Sequence, residues 1–317
     1  MSKYVIDKQW RYQRTNPKLL ICFSLYGDKP FYTQGAIENV ELANHVYPGW
    51  TCRFYVDNTV PKGIINQLLE LGAQVHIIKK CNLTGLQRSS WRLLALAETC
   101  RVIFRDADSR LNMKEQYAVN QWRLSGKQFH RMWDNSSEQL GHANPALAGM
   151  FGVVSKHRLL PDKETGREFE PYDYGLWSNS AKPFLPNVEQ LLSKWTVPGY
   201  RSDEFFIIKH ILPKMNKDNS HFMGCGMDPV PLQYMQLTNK NQTFTYNEAK
   251  NKYEYSYKGK IAYKDYDKFI FPVKLRSTYV GEPIKLNNPD FRKKNWVREF
   301  LTVKKNPNKD CGWRKRK

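Results

Sequence analysis

Apolar runs alternate with helix-period segments through the first hundred residues, and that rhythm limits the fold more than any other feature of the chain. Residues 19–25 (Leu-Leu-Ile-Cys-Phe-Ser-Leu) read as a buried strand of seven, and Tyr26-Gly27-Asp28-Lys29-Pro30 turns the chain after it. Residues 35–47 carry Ala36, Ile37, Val40 and Ala43 at helical spacing, and Pro48-Gly49 ends that helix. Residues 51–56 read as a second strand ending at Asp57. Residues 61–71 read as a second helix through Ile64, Ile65, Leu68 and Leu71, with Gly72 as its stop. A third strand (74–78), a third helix (91–99) and a fourth strand (102–104) follow. This β-α-β-α-β-α-β series predicts a parallel sheet with crossover helices. The first 17 residues read as a polar lead-in.

The fourth strand runs straight into Arg105-Asp106-Ala107-Asp108-Ser109-Arg110. In open α/β sheets, ligands bind beyond the carboxyl ends of the strands. Two carboxylates there repel each other unless a divalent cation lies between them or arginines neutralise them. Ala107 is too small to obstruct a ligand. The leading expectation is that Asp106 and Asp108 hold a metal and the metal holds a diphosphate. The competing one is a turn in which Asp or Ser caps the next helix. No G-x-G-x-x-G follows the first strand and no G-x-x-x-x-G-K-[ST] occurs, so neither a dinucleotide fingerprint nor a P-loop is present.

Further on, residues 112–124 predict an amphipathic helix, and 129–134 a short strand ending in Asp134. Residues 146–154 are small and apolar, and Gly149 and Gly152 let backbone come close to a ligand or another strand. Residues 159–182 read as loop, 187–195 as a helix, and 203–212 as another with Ser202 as N-cap. Residues 221–223 suit a short edge strand. From about residue 240 the composition shifts to Lys, Tyr and Asn. The expected division is therefore a domain over 1–240 and a basic extension over 241–317 that ends in a flexible tail.

The net charge is +20, and residues 241–317 hold 20 lysines and arginines against 8 acids. Such a surface suits polyanions: nucleic acid, anionic headgroups or phosphate-bearing substrates. The six cysteines are scattered with no C-x-x-C, which fits neither a zinc framework nor a disulfide scaffold. No apolar stretch of about 18 residues occurs, and residues 1–18 lack an apolar signal core. The expected setting is cytoplasmic, with the basic stretch peripheral to an anionic membrane or an acidic acceptor.

Several segments together resemble the GT-A-fold, DxD-containing nucleotide-sugar glycosyltransferases of bacteria and large algal DNA viruses, the chloroviruses among them. They are Leu25-Tyr26-Gly27-Asp28, Tyr47-Pro48-Gly49-Trp50, Cys52-Arg53-Phe54-Tyr55-Val56, Trp91-Arg92, and above all Arg105 to Leu111. The likeness covers roughly residues 18–230, and Tyr279-Val280-Gly281-Glu282 resembles the closing segment of that family. It implies a Rossmann-like mixed α/β sheet flanked by helices. It also implies a UDP- or GDP-sugar donor, a carbohydrate-containing acceptor, and Mn2+ or Mg2+ as cofactor. By the resemblance Asp108 contacts the metal, Asp106 is shared between metal and ribose, and His221 stands where a late histidine completes the metal site. The family's Arg-Asp-His-Pro appears as Trp133-Asp134-Asn135-Ser136, and its Gly-Gly-Met-Trp-Gly as Ala148-Gly149-Met150-Phe151-Gly152. Its Tyr-x-x-Asp-Gln appears as Tyr200-Arg201-Ser202-Asp203-Glu204.

On this reading a metal at Asp106 and Asp108 neutralises the departing diphosphate. Arg92, Arg105 and Arg110 are candidates to pair with phosphate or to offset the acids. Ser24, Tyr26 and Asp28 lie where a base and ribose would bind. Asp203 or Asp134 is the candidate base for an inverting mechanism, and the residues do not decide between inverting and retaining chemistry. Trp133 and Phe151 are candidate sugar-stacking rings or core residues. A reading from another class, prompted by the charge, is a nucleic-acid-binding protein or metal-dependent nuclease, with Tyr253, Tyr255, Tyr257, Tyr263 and Tyr266 set among lysines.

Overall fold

The alternation of side chains along β2 (Leu19–Leu25) separates two cores. Leu20 and Cys22 belong to one hydrophobic cluster, and Ile21, Phe23 and Leu25 to the other. A strand buried on both faces has no polar side to present, which explains its mainly apolar run. The computed structural model describes residues 5–9, 18–80, 82–133, 148–155, 181–197, 199, 201–215, 220–224, 242–247, 252–257 and 268–270. Before β2 comes β1 (Val5–Gln9), and after it α1 (Pro30–Val46), β3 (Thr51–Val56), α2 (Lys62–Glu70) and β4 (Gln74–Lys80). A 3-10 run (Gly85–Ala97) leads to β5 (Arg101–Phe104), α3 (Met113–Ser125), β6 (Phe129–Trp133) and β7 (Phe151–Val154). Then come α4 (Val188–Ser193), α5 (Ser202–His210), β8 (Ser220–Gly224), β9 (Gln242–Asn247), β10 (Lys252–Tyr257) and β11 (Lys268–Ile270).

Nine strands form one mixed sheet in the order β1-β4-β3-β2-β5-β7-β6-β8-β11, and β9 and β10 pair as a separate hairpin. β4, β3, β2 and β5 are parallel, as the βα rhythm predicts. β7 is antiparallel to both β5 and β6, which makes the sheet mixed. Helices α1 and α2 pack on one face, and the 3-10 run and α5 on the other. Among the described residues no helix is long and apolar enough to cross a membrane.

Four local expectations need correction. The polar lead-in contains β1, which pairs antiparallel with β4 and so covers that sheet edge. β8 is interior, lying between β6 and β11. β11 comes from the stretch expected to form a basic extension and pairs in parallel with β8. The segment expected to be a third helix is a 3-10 run of 13 residues. Within that run the Ser24 hydroxyl donates to the Ser89 carbonyl at 2.8 Å and accepts from the Arg92 N–H at 2.9 Å. A side chain from β2 thus stands between an i and i+3 pair and interrupts the ladder.

Three histidines are buried in this architecture and take no charge there. His130 and His221 face each other from paired strands with Nδ1 atoms 3.0 Å apart, and His130 stacks on Trp122. His76 packs edge-on against Tyr55. Burial, and then the Arg53 charge, depress the His76 pKa to about 2. Burial, and then Lys127, take His221 to about 3, and burial with His221 beside it takes His130 well below the usual range. Unfolding lets each ring bind a proton below about pH 6.5, so this stability is present above that value and lost as pH falls. The slope is about 1.4 kcal/mol per pH unit for each ring. The melting temperature is therefore expected to drop steeply between pH 6.5 and 4.5, and a level melting temperature down to pH 5 would contradict this.

Candidate active site

The order of the strands opens the site. From β2 the chain winds to β3 and β4 on one side and then returns to place β5 on the other. At such a switch point the connections leave in opposite directions and a crevice opens beyond the strand ends. The crevice here is a cleft of about 500 Å³. It is lined by the loop after β2 (Ser24 to Lys29), by Asp106, Ala107 and Asp108 after β5, by Ala148 to Met150 before β7, and by Arg201, Asp203 and Glu204 at the start of α5. Ser89 and Arg92 of the 3-10 run complete the wall.

Arg92 is the node of this site. Its Nη1 donates to Asp106 Oδ1 at 2.6 Å and to the Arg105 carbonyl at 2.7 Å, and its Nη2 donates to Asp203 Oδ2 at 2.5 Å. The Arg92 and Asp203 side chains are 3% and 8% exposed, whereas that of Asp106 is 50% exposed. Burial opposes the guanidinium charge, and Asp106 and Asp203 more than offset that, so Arg92 is held protonated. The other Asp203 oxygen, Oδ1, accepts the Glu204 N–H at 3.0 Å.

Asp108 is partly buried beside this group. Burial first, and then the Asp106 charge, push its carboxyl up to about 6. Two acids whose charges oppose each other in a desolvated cleft form a hard-oxygen donor set that a divalent cation would relieve. Gly149 makes the arrangement possible: a Cβ there would lie 2.0 Å from Asp106 Oδ2. Arg201, which opens α5, has φ 68°, and it pairs with Glu204 at 2.5 Å. No other described non-glycine residue has positive φ, and such backbone strain gathers at functional sites.

The other end of the cleft is less charged. Tyr26 packs edge-on against Trp91, and burial, then Asp203, push its hydroxyl up to about 12. Asp28 is exposed at the rim, and the exposed rings and chains of Tyr32 and Leu86 line the same mouth. The loop that carries Asp28 is pinned from β3. Thr59 Oγ1 accepts the Gly27 N–H at 2.7 Å and donates to Asp57 Oδ1, and Gly27 itself takes φ 77°.

Ser24, Tyr26, Asp28, Arg92, Asp106, Asp108 and Asp203 are thus brought to one cleft. Four other expected residues are not. Arg105 points away from it and is 1% exposed, with Nε on Glu115 at 3.2 Å and Nη1 on the Phe104 carbonyl at 2.8 Å. Arg110 is tied to Glu38 at 2.6 Å and to the Ala107 and Ser109 carbonyls. The turn after β5 carries these two arginines to its underside, where Glu115 and Glu38 hold them, while Asp106 faces the cleft. His221 is fully buried against His130 in the sheet, and it does not line the cleft. Among the described residues no three of His, Cys, Asp and Glu gather as a metal-holding group. Phe151 is fully buried and stacks on Phe104, so it is a core ring and not a sugar platform. Ser202 is not an N-cap: its hydroxyl donates to the Val197 carbonyl and accepts from the Trp195 indole. Asp134 lies outside the described residues, and Trp133 is described only as the last residue of β6. Tyr32 and Leu86 line the cleft with no motif that marks them in the sequence, and Arg201 and Glu204 enter it through the Tyr200–Glu204 segment without a role having been expected of them. Leu86 alone has a signal, as an apolar residue in a polar stretch with no helical partner.

The fold and cleft define a mixed α/β protein with an acid-lined site at the sheet's switch point. No protein-family model matches the chain, and no curated protein does. Among solved structures it is similar to the mannosyltransferase PcManGT from Pyrobaculum calidifontis in complex with GDP-Man and Mn2+. That likeness has 11% identity over 44% of this chain and 45% of that one, with a TM-score of 0.32. The match thus spans under half of the mannosyltransferase's length. A mycobacterial protein of known structure is similar at 10% identity over 76% of this chain and 83% of its own, with a TM-score of 0.36. Likenesses this distant say nothing of activity, and the geometry of the cleft is the basis for a functional reading.

Proposed function

We propose that this chain is a divalent-cation-dependent, GT-A-type glycosyltransferase. It would move a sugar from a nucleoside-diphosphate sugar to a carbohydrate-bearing acceptor. The observation that carries the reading is the pair Asp106 and Asp108 at the switch point, in a cleft within the ~300–1,000 Å³ that small-molecule sites occupy. The raised Asp108 pKa and the all-oxygen donor pair fit Mn2+ or Mg2+. Asp108 and Asp106 would hold the cation, which when bound supplies positive charge to the departing diphosphate.

The chain's own groups supply the rest. Tyr26, Asp28, Tyr32 and Leu86 offer an aromatic and apolar mouth with a polar rim to a base and ribose. Asp203, at the start of α5, is the candidate group to take a proton from an acceptor hydroxyl. Each of its oxygens accepts one hydrogen bond, from Arg92 or from the Glu204 N–H, and keeps a second lone pair for that proton. Ser24 acts by holding Arg92 and Ser89 in place.

The test is a thermal-shift screen of sugar nucleotides with Mn2+, followed by hydrolysis assays of those that bind. Stabilisation by one nucleotide class, dependent on Mn2+, is the expected result. No response to any sugar nucleotide, together with tight salt-sensitive binding of DNA or RNA, would overturn the reading in favour of a nucleic-acid-binding protein.

A further inference from the structure

One guanidinium serves two acids that come from different elements of the cleft lining. Arg92 joins Asp106, which follows β5, to Asp203, which opens α5, from an anchored backbone. Its backbone N–H is bonded to Ser24, and Nη1 is also bonded to the Arg105 carbonyl. Its Nε is buried without a hydrogen-bond partner among the described residues. Asp106 has little freedom, because Oδ2 lies against Gly149 while Oδ1 is on Arg92.

We propose that Arg92 is an exchangeable counter-ion that gives up Asp106 Oδ1 when Asp106 and Asp108 take a divalent cation. The inference rests on the proposed cation site at those two acids. The exchange follows from charge. Asp106 beside both Arg92 and a divalent cation would sit between two repelling positive groups at hydrogen-bond range, one of them a guanidinium only 3% exposed. Asp203 is the more buried of the two acids, so Arg92 keeps Asp203 and releases Asp106. The released Nη1 donor then belongs to a residue that lines the cleft, where a diphosphate oxygen is an acceptor for it. Arg92 is a positioning residue on this account: it links cation uptake at the β5 acids to the seating of α5.

The experiment is a titration of the full chain with Mn2+ alone, read by the EPR signal of free Mn2+. It compares wild type, Arg92→Lys, Arg92→Gln and Asp203→Asn, with each fold checked by circular dichroism. Arg92→Lys keeps the charge but cannot span both acids, and it is expected to bind Mn2+ about threefold tighter. Arg92→Gln is expected to bind about tenfold tighter or more. Asp203→Asn leaves Arg92 to Asp106 alone and is expected to bind several-fold more weakly. A merely structural role predicts weaker binding in all three. Arg92→Lys equal to wild type, with Arg92→Gln tighter, would mean that the charge acts only as a distant field, and the exchange would be wrong. Should Arg92→Gln fail to fold, Arg92→Lys and Asp203→Asn still give opposite predictions. No Mn2+ binding by wild type would instead remove the cation reading itself.

Discussion

Asp108→Asn is expected to abolish cation-dependent turnover and, in the same molecule, to raise the melting temperature of the metal-free protein. The loss of activity should be about a thousandfold, the several kcal/mol that a cation contributes to a diphosphate leaving group. The gain in stability follows from the pKa. Burial and the neighbouring Asp106 push Asp108 up to about 6, against 3.8 for a free carboxyl. A folded-state pKa above the unfolded one means stability that is present below about pH 4 and lost as pH rises through 6. At pH 7.5 that loss is at most about 3 kcal/mol, and an amide that never ionises avoids it. The advantage of the variant should shrink as pH falls and vanish by about pH 4. Thermal melts of both proteins in chelator across this range check the sign. Equal melting temperatures at pH 7.5 would show that Asp108 carries no such strain. Added Mn2+ should stabilise wild type, more at pH 7.5 than at pH 5, and leave Asp108→Asn unmoved.

Gly35→Ala is expected to destabilise the fold and to weaken cation binding, although alanine is the better helix former by about 1 kcal/mol. Gly35 lies within α1, against the acid loop. A Cβ there would come within 2.1 Å of the Ala107 carbonyl oxygen and 2.6 Å of Arg110 Nη1. Neither neighbour is free to move. Arg110 is bonded to Glu38 on the same helix, and Asn39 accepts the Leu111 N–H at 3.0 Å and donates to the Ser109 carbonyl at 2.8 Å. Gly35, Glu38 and Asn39 are spaced i, i+3 and i+4, so one face of α1 clamps the whole loop from Ala107 to Leu111. Overpacking of this kind costs about 1–3 kcal/mol after the helix gain is counted. It also pushes Ala107, the residue between the two acids. Melting curves and Mn2+ titrations test both effects, and a variant as stable as wild type would refute the clamp.

The clamp also shows why the arginines beside the acids mislead. Arg105 and Arg110 flank the motif in sequence, and adjacency suggests charge offset in the cleft. The fold turns both to the underside of the loop, Arg105 onto Glu115 and Arg110 onto Glu38. The arginine that does meet Asp106 comes from 14 residues upstream, and its second partner lies 111 residues downstream. No local pattern encodes that meeting. His221 differs for a similar reason: the resemblance implies a late histidine as ligand there, but strand pairing sets His221 against His130.

The parallel β4-β3-β2-β5 core is written in the order of residues, since strands buried on both faces are mainly apolar and their helices must carry a 3.6-residue stripe. So is the placement of two acids at the end of a strand on the sheet's binding edge, because the strand's apolar run stops at them. Which charges face those acids is settled only by the folded chain. There Ser24 interrupts the 3-10 run, Arg92 bridges the cleft, and the flanking arginines turn inward. Those outcomes depend on pairings between residues dozens of positions apart. Packing and desolvation select such pairings only once the sheet has brought its strand ends together.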